Sequence, residues 1–260
     1  MKKTPFISII TPVYNEPRIC RSLNSVINQK NKKDIEVIVV DGGSTDGTLG
    51  CLEKFKDYID VLIQENDLGI YDAMNKGIRE SRGEVVGILN ADDQYYSNTV
   101  LTDVSKIFLD TSIDICYGDL VYVNPNGKVK RYWKSGDHEK IKWYFGWMPP
   151  HPTVFVRKEI YESLGSFNHI DYKIAADYEL MLRFFVRNNL TVKYLQKVVV
   201  SMELGGESNK NFKNIIQANR EVLMACKENN LIFPYLIPFF KVFRKPFQYF
   251  HNFSCDITYP

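Results

Sequence analysis

Glu36-Val-Ile-Val-Val-Asp-Gly-Gly-Ser-Thr-Asp-Gly-Thr48 decides the fold of this chain. A β-branched run with no helical spacing ends abruptly at Asp41 and a Gly42-Gly43 turn, which is the pattern of a fully buried strand running into a polar loop. The same unit recurs on both sides. Phe6 to Val13 reads as a buried strand ending at Tyr14-Asn15-Glu16, and Ile19, Leu23, Val26 and Ile27 then keep helical spacing. Val61 to Ile63 ends at Glu65-Asn66-Asp67, and Ile70, Ala73, Met74, Gly77 and Ile78 mark one face of the next helix. Glu84 to Leu89 ends at Asn90-Ala91-Asp92-Asp93, before a helix carrying Val100, Leu101, Val104, Ile107 and Phe108. Strands with continuous apolar runs that alternate with helices predict a mostly parallel α/β sheet covered on both faces. Ligands of such sheets bind beyond the carboxyl ends of the strands, and here four successive strands deliver acidic or polar groups to that edge.

After residue 113 the pattern changes. Ile115 to Val123 and Lys128 to Trp133 predict antiparallel strands around the turn Asn124-Pro125-Asn126-Gly127. Trp143 to Pro152 is aromatic and Pro-containing, as expected of a binding loop. Helices are predicted over Asp177 to Arg187, with Leu180, Met181, Phe184 and Phe185 inward, and over Asn211 to Asn229, with Phe212, Ile215, Ile216, Val222 and Leu223 on the apolar face. The pattern predicts one domain over residues 1–230, divided at 112/113, followed by a tail at 231–260; the resemblance drawn below implies that 1–112 is its nucleotide-binding half and 113–230 its acceptor-binding half.

The 260 residues carry a net charge of +2, so no affinity for polyanions follows and nucleic acid is not an expected partner. The five cysteines have wide, irregular spacings without a CxxC pair, which predicts neither a zinc site nor a disulfide framework and suits a reducing, cytoplasmic setting. Met1 to Ile10 lacks the apolar run of a signal peptide.

Each motif has a structural and a chemical meaning. Asp92-Asp93 is either a solvated turn or a pair of carboxylates sharing a site with a hard divalent cation and a diphosphate, since Mg²⁺ or Mn²⁺ takes one or two carboxylates and fills its shell with phosphate oxygens and water. The 41–47 turn is neither GxGxxG nor a phosphate loop with Lys-Ser/Thr. Asp41 can instead accept hydrogen bonds from a pyrimidine N–H or ribose hydroxyls, and Ser44 or Asp46 can cap a helix. Asp177 precedes the stripe Leu180, Met181 and Phe184, so it lies near a helix N-terminus on the inward face, as a cap or as a base aimed into a cleft. His151, in a Pro-rich loop, is structural, a metal ligand or a phosphate contact.

Taken in order, the runs Ser8–Glu16, Glu36–Thr48, Gly69–Gly77, Gly87–Asp93, Pro150–Phe155 and Ala175–Leu180 resemble family 2 glycosyltransferases, bacterial enzymes of polysaccharide assembly in particular, over about residues 5–210. The resemblance implies the GT-A fold, a nucleoside-diphosphate-sugar donor (a UDP-sugar by preference), inversion at the anomeric carbon and a glycan or lipid-linked saccharide acceptor. It implies donor contacts from Pro12, Tyr14, Glu16, Asp41, Asp67, Lys76 and Asp92, a Mn²⁺ or Mg²⁺ ligand in Asp93, and the general base in Asp177. His151 is carried as a second candidate ligand. The motif here is Asn-Ala-Asp-Asp, so Asn90 supplies no charge.

Three competing readings share much of this pattern. A polyprenyl-phosphate sugar synthase has the same fold and donor, but its acceptor needs no deprotonation. A sugar nucleotidyltransferase calls for a Gly-rich basic loop that Thr11 to Glu16 does not have. A non-catalytic nucleotide-sugar binder has no need of both Asp92-Asp93 and Asp177. Two further segments complete the reading: Glu203 to Ser208, with Gly205-Gly206, as a loop able to close over donor, and the apolar Leu231 to Phe240 followed by Lys241, Arg244 and Lys245 among Phe243, Phe247, Tyr249 and Phe250. That tail is too short to span a bilayer and suits either a membrane interface or packing on protein.

Overall fold

The computed structural model describes residues 4–203, 212–232 and 234–237. The strands are β1 (Ile7–Val13), β2 (Ile35–Asp41), β3 (Val61–Gln64), β4 (Val85–Ile88), β5 (Gln94–Tyr95), β6 (Ile115–Val123), β7 (Val129–Trp133), β8 (Phe155–Arg157) and β9 (Val192–Glu203). The helices are α1 (Ile19–Ile27), α2 (Thr48–Phe55), α3 (Ile70–Glu80), α4 (Val100–Phe108), α5 (Lys158–Leu164), α6 (Ala176–Leu182) and α7 (Phe212–Glu228). All nine strands join one sheet in the order β3-β2-β1-β4-β8-β6-β9-β5, with β7 beside β6.

β3, β2, β1 and β4 are mutually parallel, in register from Ile7 opposite Ile35 to Val13 opposite Asp41. β8 reverses direction against β4 and β6 reverses again, so β6 and its parallel partner β9 run with the first four strands. Six strand ends therefore point the same way. The sheet crosses the 112/113 division without a break.

Strand periodicity explains the continuous apolar runs. Every residue of β1 and β2 is buried. Successive side chains go to opposite faces, so Ile10, Ile38 and Val40 meet α3 and α6, while Ile9, Val37 and Val39 meet α1, α2 and α4. Glu36 does not break this pattern, because its carboxylate accepts hydrogen bonds from Ser8 Oγ at 2.6 Å and Arg82 N at 2.8 Å. α3 lies directly on β1: a Cβ on Gly77 would stand 2.4 Å from Ile10 Cγ2.

Several expectations are corrected. Ile70 is exposed, because the inward face of α3 starts at Tyr71. Ile215 and Ile216 are exposed too, and α7 packs instead through Val222, Ala225 and Cys226. Trp143, Trp147, Met148, Pro149 and Pro150 are buried rather than displayed as a binding loop. Trp147 meets Trp143 and Phe185 edge-on and Trp143 meets Phe185 at a tilt, since large rings gain more from the core than an irregular backbone forfeits. Cys20 and Cys51 are joined in a disulfide between the adjacent helices α1 and α2, against the expectation of free thiols in a reducing setting. Spacing along the chain could not show it, because helix packing brings the two together. The helix predicted to run to Arg187 changes to π geometry from Arg183. No helix among the described residues is long and apolar enough to cross a membrane. Most of the 203–208 loop and of the tail after 231 lies outside the described residues.

Candidate active site

The first two strand ends lock onto each other. Pro12 lies beyond the last β1–β4 pair, Ile10 with Ile88, where a missing N–H costs no ladder bond to β4. Tyr14 then projects into solvent, 62% exposed. Asn15 takes a left-handed conformation (φ +48°), which Asn tolerates better than most residues. Asn15 N donates to Ser44 Oγ at 2.8 Å, Thr45 N donates to Asn15 Oδ1 at 2.8 Å, and Glu16 N donates to Thr48 Oγ1 at 2.8 Å. Asp41 is buried at the floor, accepting from Ser44 N at 3.0 Å and Gln64 Nε2 at 3.2 Å.

The third strand end closes over this turn. Asp67 lies against Gly42 so closely that a Cβ there would meet Asp67 Oδ2 at 2.4 Å, and one on Gly43 would meet Asn66 Oδ1 at 2.7 Å. Asp41 and Asp67 thus flank one glycine. Lys76, from the second turn of α3, holds the loop with bonds to Glu65 Oε1 (2.9 Å) and Asn66 O (3.0 Å), and is 3.5 Å from Asp72.

At the fourth strand end, Asp92 and Asp93 differ sharply. Asp92 is about a third exposed (34%), 3.6 Å from Arg18. Asp93 is fully buried and accepts from Asn90 Nδ2 at 2.9 Å, while its Oδ1 has no hydrogen-bond partner. Burial pushes the Asp93 carboxyl well above the usual carboxylate range, and the neighbouring Asp92 charge acts the same way. Burial raises Asp92 too, with Arg18 opposing. Arg18 also grips Glu16 through two hydrogen bonds, 2.8 and 2.6 Å, which hold that carboxyl low, and reaches Glu203 at the end of β9 at 3.3 Å.

A buried carboxylate oxygen without a donor, beside a second carboxylate, fits a divalent cation whose remaining ligands are phosphate oxygens and water. Among the described residues no three His, Cys, Asp or Glu side chains converge on one point.

Asp177 stands in the first turn of α6. The single Tyr71 hydroxyl proton is shared between Ile174 O at 2.8 Å and Asp177 Oδ1 at 3.2 Å. Tyr71 follows the Asp67 loop immediately, in the first turn of α3, so this bond sets Asp177 at the same sheet edge as the strand-end carboxylates. Phe167 stacks on Tyr71 and meets His151 edge-on. Burial pushes the His151 imidazole below its ordinary value, with Asp177 opposing. His151 is thus grouped with Asp177, whereas the charges felt by Asp93 are those of Asp92 and Arg18.

The structure therefore assembles Pro12, Tyr14, Glu16, Asp41, Asp67 and Lys76 into one continuous edge with Asp92 and Asp93, and places Asp177 and His151 beside it. Arg18 and Tyr71 have contacts that the sequence reading did not foresee. A basic residue two positions after Glu16, and an aromatic heading the α3 stripe, were the available signals. A cavity of about 490 Å³ lined by Tyr117, His138, Lys193 and Tyr194 lies where β6 and β9 begin, at the other end of those strands.

The model for "Glycosyl transferase family 2" matches residues 8–165. The "PGL/p-HBAD biosynthesis glycosyltransferase" of Mycobacterium bovis (strain BCG) is 30% identical over 210 residues, covering 79% of this chain and 80% of that protein. Among solved structures, S. aureus TarS 1-349 in complex with UDP-GlcNAc superposes with a TM-score of 0.65 at 20% identity, over 86% of this chain and 66% of that one. The mannosyltransferase PcManGT from Pyrobaculum calidifontis, in complex with GDP-Man and Mn²⁺, gives 0.63 at 18% identity, over 93% and 70%. The sheet order and helix placement are those of the GT-A fold. With a family match across more than half of its length, laid over the strand ends that carry the acidic edge, this chain belongs to glycosyl transferase family 2.

Proposed function

We propose that the chain transfers a sugar with inversion from a nucleoside-diphosphate-sugar, a UDP-sugar by preference, to a hydroxyl of a glycan or lipid-linked saccharide. The observation that carries this reading is the Asp177 carboxylate, held through Tyr71 at the edge where Asp41, Asp67 and Asp92 converge. The complex of TarS with UDP-GlcNAc supports the choice of donor nucleotide.

Asp41 and Asp67, on either side of Gly42, accept hydrogen bonds from the base and ribose, and the Tyr14 ring offers an exposed face beside them. Asp92 and Asp93 would hold a divalent cation, which supplies charge stabilisation for the departing diphosphate; Mn²⁺ in the PcManGT complex supports this cofactor class. Asp177 takes the proton of the acceptor hydroxyl as its oxygen bonds to the anomeric carbon. The bond from that carbon to the donor phosphate oxygen breaks on the opposite face, and its electron pair leaves with the nucleoside diphosphate. A single displacement of this kind inverts the centre.

Asp177→Asn preserves shape and removes the base. Turnover should fall about 10²–10⁴-fold, with binding of UDP, followed by calorimetry, within twofold of wild type. Near-wild-type turnover in a folded Asp177→Asn variant would remove Asp177 from this role.

A further inference from the structure

Glu221 lies on α7, 6% exposed and therefore costly to bury as a charge unless it is well bonded. Four donors meet its carboxylate. Oε2 accepts from the backbone N–H groups of Ile174 and Ala175, both at 2.8 Å, and Oε1 accepts from Lys173 N at 3.1 Å and Gln217 Nε2 at 3.0 Å. Three of these donors are consecutive amides of the segment leading into α6, which has no side-chain cap of its own. The carbonyl of Ile174 is held in turn by Tyr71 O–H. The peptide entering Asp177 is thus gripped through its amides from α7 and through a carbonyl from α3.

We infer that Glu221 is a positioning residue for the Asp177 carboxylate. Asp177 is two residues beyond the last of the bonded amides, and its own anchors are its neighbour Tyr178 N at 2.8 Å and Tyr71 O–H at 3.2 Å. Tyr71 also bonds the Asp177 backbone, and Glu221 fixes the three amides that lead into it, because bonds from N–H to a buried carboxylate are charge-assisted and short. An error of about 1 Å at a reacting group can cost about 10²-fold in rate. Val222, Ala225 and Cys226 seat α7 in the core that also holds Tyr178 and Leu180 of α6, so Glu221 transmits the rigidity of that packing to the site. The inference rests on Asp177 being the base.

The test uses the full chain with Glu221→Gln, which keeps the volume but leaves an amide N–H₂ facing a backbone donor. Two readouts need no sugar donor. The Lys173, Ile174 and Ala175 amides should exchange with deuterium at least about tenfold faster, on the scale of one lost charged hydrogen bond. The Asp177 carboxyl ¹³C resonance, assigned by its loss in Asp177→Asn, should move while that of Asp110 stays fixed. For turnover, release of UDP from UDP-GlcNAc should fall about 10–100-fold with UDP affinity within twofold, and adding Glu221→Gln to Asp177→Asn should cost nothing more. If Glu221→Gln does not fold, Glu221→Asp, whose shorter carboxylate keeps the charge, should show the same pattern in smaller degree. An unmoved Asp177 resonance with unchanged amide exchange would overturn the inference, as would an equal rate loss in the Asp177→Asn background. Full activity of Asp177→Asn alone would instead sink the assignment of the base.

Discussion

Asp93 is a fully buried carboxyl with one oxygen unpaired. Burial holds the Asp93 carboxyl well above the usual carboxylate range, and the proposed cation would be the partner that favours its charged form. Asp93→Ala should therefore abolish the rise in melting temperature expected of the wild type with Mn²⁺ and UDP, which corresponds to a stabilisation of about 2.7 kcal/mol at a hundredfold excess over Kd. Thermal denaturation with and without Mn²⁺ checks this, and an undiminished rise in the variant would move the cation elsewhere. Asp41, Asp67, Asp92 and Asp93 were legible in the sequence because each follows an apolar run at once or within a few residues, and strand ends in a parallel sheet share an edge. Arg18, Tyr71 and Glu221 were not. Arg18 meets Glu203 across 185 positions, Tyr71 meets Asp177 across 106, and Glu221 meets Ile174 across 47. Such pairings exist only once the helices are packed.

Elements carry the next level of constraint. The turn after β2 is shaped by what it must admit, and Gly42 leaves room for the Asp67 carboxylate. Gly42→Ala should push Asp67 aside and weaken UDP binding about tenfold, or about 1.4 kcal/mol, with little change in melting temperature because Asp67 sits on a partly exposed loop. Calorimetry with UDP decides, and unchanged affinity would exclude Asp67 from the nucleoside contacts. The α1–α2 disulfide closes a loop with a sequence separation of 31 residues, so Cys20→Ser should lower the unfolding free energy by about 3–4 kcal/mol in the chain-entropy account. Denaturant unfolding of wild type and variant, each with and without reductant, measures it; a wild type insensitive to reductant would argue against the bond. Strands β1, β2 and β4 were readable because both faces are buried. β9 escaped because its first half alternates irregularly between half-buried and exposed residues, and β8 because it spans three residues. Trp143 to Pro152 misled for the opposite reason: prolines and aromatics resemble a surface loop, yet here the rings fill the core between β6 and α6.

At the scale of the whole molecule, one sheet carries the chemistry. β4 from the first half pairs with β8 from the second, and the short β5 returns to the far edge against β9. The division near residue 112 therefore does not separate folding units. Because β6 and β9 run with the first four strands, Glu203 arrives beside Arg18 and Asp92, and the carboxyl edge of the sheet becomes a single acidic face closed by Asp177 on its α3 side. Electrostatics of this kind favour a ligand that brings its own cation, as a metal-bound diphosphate does. The most direct measurement is release of nucleoside diphosphate from UDP-, GDP- and dTDP-sugars by the purified chain, with and without Mn²⁺, beside Asp93→Ala and Asp177→Asn. The account predicts release from one donor class, UDP-sugars, that needs the cation and is lost in both variants. Release that ignores the cation and survives both substitutions would contradict it.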